Sequence, residues 1–133
     1  MRLSPFAGIA CLVEVLLLAG GCASPVDPSG LEASATLPVT ATADGLVIVN
    51  RLDRVIHALA AERGTLALLD FVPCTTGLQC FEVPGGASRL LPWSKVVGYA
   101  PDSVQYTVFY WGTVVERDGS LRPDTVRRVT VTR

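Results

Sequence analysis

Val104-Gln105-Tyr106-Thr107-Val108-Phe109-Tyr110-Trp111-Gly112-Thr113-Val114-Val115 decides the fold of this chain. β-branched and aromatic residues fill it, and side chains on an extended backbone alternate between two faces. Val104, Tyr106, Val108, Tyr110 and Val114 fall on one face, the better core candidate. Gln105, Thr107, Phe109, Trp111 and Thr113 fall on the other, where Phe109 and Trp111 cannot both stand free in water without an explanation. Gly112 marks a bulge or a close backbone approach.

Downstream, Arg117-Asp118-Gly119-Ser120 turns the chain. Val126 to Thr132 then alternates Val129 and Val131 with Arg128, Thr130 and Thr132, as a half-buried strand does. Upstream, Lys95 to Tyr99 reads as irregular or a short strand before a turn at Pro101-Asp102. Ser88 to Trp93 is extended, Pro84-Gly85-Gly86 is a turn, and Phe81-Glu82-Val83 is a short strand. Thr65 to Phe71 reads as another strand, ended by Pro73, which has no N–H to donate. Asn50 to Gly64 is ambiguous. Leu52, Val55, Ile56, Leu59 and Ala60 sit at helical spacing, whereas Val55, His57, Leu59 and Ala61 alternate at period two. Its neighbours favour a strand, with helix over 51–63 as the alternative. Gly45 to Asn50 is the first strand.

Six to seven short strands with frequent turn signals predict an all-β domain over 43–133, a small antiparallel β-sandwich or open barrel. The layout resembles immunoglobulin-like and fibronectin-type modules. A bridge between cysteines close in sequence differs from the intersheet disulfide of antibody domains.

The N-terminal part is of another kind. Ala23 to about Thr40 holds three prolines, three serines and no aromatic residue. Residues 22–42 therefore read as a flexible tether, with an irregular segment packed on the domain as the alternative. About 18 such residues span roughly 20–25 Å. Residues 1–21 have the three parts of a secretory signal: Arg2, an apolar run from Phe6 to Leu18, and small residues before Cys22. The run is short for a spanning helix.

Leu16-Leu17-Leu18-Ala19-Gly20-Gly21-Cys22 resembles the lipobox of bacterial lipoproteins, with Ala19 where leucine is commonest and Glu14 as an acid in the apolar run. The resemblance implies a diacylglycerylated and N-acylated Cys22 at the mature N-terminus and a membrane partner through that anchor. The place implied is the bacterial cell envelope. In a Gram-negative cell, Ala23 in place of Asp implies the outer membrane. The four cysteines then divide without remainder. Cys11 leaves with the leader, Cys22 carries lipid, and Cys74 and Cys80 pair in an oxidising compartment.

Composition narrows the function classes. The net charge is −1, and it stays so without the leader because Arg2 and Glu14 cancel. No basic face of the kind a nucleic-acid binder needs is visible, Arg127-Arg128 being the nearest cluster. Hydrophobic residues make up 50 %, but much of that lies in the leader, leaving an ordinary soluble composition.

No catalytic constellation is legible. His57 is the single histidine, and Ser88, Ser94 and Ser103 lie outside any Gly-x-Ser-x-Gly elbow. Asp70 and Glu82 flank the cysteine loop as solvated acids or a carboxylate pair. Two thiols and one distant His57 fall short of the four ligands of a zinc site, and the Cys74–Cys80 spacing is not Cys-x-x-Cys. No cofactor or metal is expected. The aromatics of the second half, Trp93, Tyr99, Phe109, Tyr110 and Trp111, form either core or a recognition patch, with Trp93, Tyr99 and Trp111 as patch candidates. The expectation is a non-catalytic binding or accessory module facing another envelope protein. The alternative is a small envelope enzyme or thiol-redox factor built on His57, the acids or the cysteine pair.

Overall fold

The computed structural model describes residues 36–77 and 80–133. The leader, Cys22 and most of the tether lie outside the described residues. Among the described residues nine strands form: β1 (Val39–Ala41), β2 (Gly45–Val49), β3 (Ile56–Glu62), β4 (Phe81–Val83), β5 (Ser88–Pro92), β6 (Gln105–Trp111), β7 (Thr113–Val115), β8 (Leu121–Pro123) and β9 (Arg127–Thr132). They make an antiparallel sheet β1-β2-β5, an antiparallel sheet β4-β3-β6-β9 and a ribbon β7-β8. The two larger sheets approach along both margins, β1 near β9 and β4 near β5. The all-β class and the small sandwich expected from the strand pattern are the observed ones.

Strand alternation builds the core. Leu46 and Ile48 of β2 and Leu91 of β5 face Ile56, Ala58 and Ala60 of β3, Val83 of β4, Tyr106, Val108 and Tyr110 of β6, and Val131 of β9. Ala58 and Ala60 pair across the ladder with Tyr110 and Val108. Such small residues leave room for the two tyrosine rings, the large-against-small matching that fills a thin core. Asn50 ties the sheets together at 1 % exposure. Its Nδ2 amide donates to the carbonyls of Arg54 (2.7 Å), Val83 (3.0 Å) and Pro84 (3.2 Å), and its Oδ1 accepts from the Leu52 N–H at 3.0 Å.

Within the ambiguous 51–63 segment, Ile56–Glu62 is strand, residues 51–55 bend without forming helix, and Arg63 opens a 3₁₀ turn. β3 is paired on both sides, by β4 and β6, and His57 and Ala61 on its second face are as buried as its core face. Double pairing overrides a short helical spacing, because every ladder bond satisfies a backbone group that burial would otherwise strand.

Four expectations are corrected. Thr65 to Phe71 is not a strand: Arg63–Leu68 is a 3₁₀ turn, started by the Glu62 carboxylate accepting from Thr65 N–H at 3.1 Å. β3 has no free edge there to offer it, since Glu62 N–H and Ala60 C=O bond Val97. Of the stretch expected as tether, Leu37 is in the core and β1 pairs with β2, so these residues belong to the β-domain. The long run 104–115 breaks at Gly112, so Val114 joins the β7-β8 ribbon, while Val104 is 63 % exposed ahead of β6. Finally, β8 forms where only a turn and a loop were legible.

Candidate functional site

The second face of the four-stranded sheet carries the chemistry. Strand pairing sets Glu82 of β4, His57 of β3 and Trp111 of β6 directly opposite one another, giving a row across three strands. Side chains opposite each other in antiparallel pairs touch. Over this row lie residues 71–77 and Cys80. The Phe71 ring centroid is 5.2 Å from Phe109 and 5.8 Å from Trp111. Trp111, 1 % exposed, donates its indole N–H to the Cys74 carbonyl at 2.8 Å. This segment is the cover that Phe109 and Trp111 required.

Cys74 and Cys80 form the disulfide expected from their spacing, with Cα atoms 6.2 Å apart. Its sulfurs lie near His57: the ligand atoms of His57, Cys74 and Cys80 are all within 4.8 Å of one another. Glu82 closes the cluster. Its Oε1 is 3.7 Å from His57 Nδ1, and its carboxylate fills the space a Cβ on Gly77 would occupy, 2.5–2.7 Å away. Gly77 is thus required by close approach. Cys80 and Gly77 also line a cavity of about 310 Å³ with Ala58, Leu59, Ala60, Phe81, Leu91 and Lys95.

His57 is 2 % exposed, and burial pushes its pKa below the ordinary 6.5, with the Glu82 carboxylate pulling the other way. Its Nδ1 is buried without a hydrogen-bond partner, a deficit that generally costs about 1–3 kcal/mol. The imidazole and the carboxylate stand beside the bridge, whose sulfurs become donors for soft divalent metals only as thiolates.

The structure therefore rearranges the expected sites. His57 is not distant from the thiols; 17 residues of sequence are folded back by β3, the 3₁₀ turn and the cover segment. Trp93 and Trp111 are not patch residues. Trp93, 8 % exposed, donates its indole N–H to the Ala43 carbonyl at 2.9 Å and packs against Tyr106. Tyr99 stacks on Trp93 at 4.9 Å, with the Arg133 guanidinium 5.3 Å from the Trp93 ring centre. Trp93 and Tyr110 belong to the core and Tyr99 packs against it, whereas Trp111 is buried on the opposite face of the sheet. Asp70 is exposed, Ser88 and Ser94 are exposed, and the Ser103 hydroxyl accepts from Ala100 N–H. Cys22 lies outside the described residues. The alternation of Val55, His57, Leu59 and Ala61 already aims His57 away from the core face, but the strand register that sets it beside Glu82 and Trp111 has no signal in the sequence.

No protein family, no curated protein and no solved structure matches this chain.

Proposed function

We propose that this chain is a lipid-anchored protein of the bacterial cell envelope, a non-catalytic binding or accessory β-domain held at the membrane by acylated Cys22. The observation that carries the reading is the cysteine partition. Cys74 and Cys80 are joined in the folded domain, which fits an oxidising compartment, and Cys22 follows Ala19-Gly20-Gly21 at the end of an apolar run. Between Cys22 and the first core residue, Leu37, a short Pro- and Ser-rich stretch gives the domain reach from a bilayer. Multiple acyl chains anchor stably where one chain binds only marginally.

The test is fractionation of cells fed labelled palmitate. Wild-type protein is expected in the membrane fraction with label, and Cys22→Ala is expected unlabelled and out of that fraction. Label or membrane retention in Cys22→Ala refutes the anchor. Cys74→Ser/Cys80→Ser is expected to remain labelled and membrane-bound, with lowered thermal stability.

A further inference from the structure

We propose that reduction of the Cys74–Cys80 bridge turns the His57 cluster into a binding site for a soft divalent cation of the zinc type. The four ligands are the Cys74 and Cys80 thiolates, the His57 imidazole and the Glu82 carboxylate. Two independent observations point to a ligand. The first is the convergence of His57, Cys74 and Cys80 ligand atoms within 4.8 Å. The second is His57 Nδ1, buried, without a hydrogen-bond partner, and 3.7 Å from Glu82 Oε1.

The geometry fits a tetrahedral ion. Zinc bonds of ~2.0–2.3 Å at the tetrahedral angle place ligand atoms roughly 3.3–3.8 Å apart. Imidazole and carboxylate already stand at that spacing. The sulfurs need only separate once the bond between them is broken. Glu82 is 37 % exposed and borders Gly77, and the cavity reaches Cys80, so the reductant and the ion have a way in.

The chemistry balances with a dithiol as reductant. Two electrons pass to the bridge, the S–S bond breaks, each cysteine sulfur gains a proton, and the reductant closes its own disulfide. Metal entry forms two metal–thiolate bonds and releases both protons to solvent, with no change in the metal's oxidation state. In an oxidising compartment the bridge keeps the site closed, so occupancy reports exposure to reductant. This property does not depend on the lipid anchor.

The test titrates the intact protein in detergent with Co(II), before and after reduction by a phosphine that does not bind the metal. Reduced protein is expected to bind one Co(II), with near-ultraviolet sulfur-to-metal charge-transfer absorption and the visible bands of tetrahedral cobalt. Zn(II) is expected to displace it, and the oxidised protein to show neither band. Loss of an outer hydrogen-bond partner alone weakens metal binding about 10–100-fold, so loss of a direct ligand in His57→Gln or Glu82→Gln is expected to weaken it at least that much. Cys74→Ser/Cys80→Ser, which retains Cys11 or Cys22, is expected to abolish the charge-transfer band. The proposal is overturned if reduced wild type shows no band, or if the band persists in the double serine variant. Unchanged affinity in Glu82→Gln, whose partly exposed position keeps the fold, also overturns it.

Discussion

Trp111→Phe tests whether the cover segment is clamped onto the second sheet face. The indole N–H satisfies the Cys74 carbonyl at 2.8 Å, and the ring is 1 % exposed beside His57 and Phe71. Phenylalanine keeps one ring but loses the donor. Leaving a buried carbonyl unpaired costs about 1–3 kcal/mol, and losing part of the indole in a packed site adds roughly 1–2 kcal/mol. The variant is therefore expected to be less stable by about 2–4 kcal/mol in urea unfolding with unchanged m. For a domain of this size that corresponds to a Tm lower by roughly 10–25 °C. The disulfide holds the same segment, and closing its seven-residue ring contributes about 2–2.5 kcal/mol in the chain-entropy account. In the Cys74→Ser/Cys80→Ser background, the same substitution is expected to cost at least about 0.5 kcal/mol less, because the two devices share one task. A loss below about 0.5 kcal/mol in the wild-type background is the scale of a surface change, and would return Trp111 to the exposed patch that the sequence also allowed.

Asn50→Ala is expected to destabilise by about 2–4 kcal/mol in the same assay, because three carbonyls lose their amide donor. Asn50→Asp should cost at least as much despite its shape, since a carboxylate would face those carbonyl oxygens. Gly98→Ala is expected to lose at least about 2 kcal/mol: its φ of +72° is unfavourable for an L-residue, and the added methyl meets Thr65. Thr65→Ala in the same chain should recover part of that loss, and no recovery would place the strain in the backbone alone. His57 has a folded pKa below 6.5, so the unfolded chain takes up this proton first. Its contribution to stability is full above about 6.5 and is lost as pH falls through the folded value. Melting curves across this window should fall more steeply for wild type than for His57→Gln, and equal slopes would contradict a buried neutral imidazole.

The sandwich was legible because its strands obey local rules. Tyr106, Val108 and Tyr110 alternate onto one face, Pro84-Gly85-Gly86 and Arg117 to Ser120 turn the chain, and Cys74 and Cys80 pair over a span short enough to be read directly. The segment 65–71 misled because Leu66, Leu68 and Leu69 look like strand, whereas the carboxylate of Glu62 and the occupied edge of β3 decide its shape. β1 escaped notice because three residues carry no period of their own and are strand only by pairing with β2. The candidate site was hidden for a different reason. Glu82, His57 and Trp111 are adjacent only through ladder register, and one-residue slips would point each side chain to the opposite face. Trp93 and Trp111 shifted from patch to interior because each indole finds a backbone carbonyl, Ala43 or Cys74, that lies far away in sequence.

The decisive measurement is the mass of the N-terminal peptide of protein extracted from membranes. A peptide that begins at Cys22 and carries acyl and diacylglyceryl groups on that residue is expected. An N-terminus elsewhere, or an unmodified Cys22, would contradict the lipid anchor.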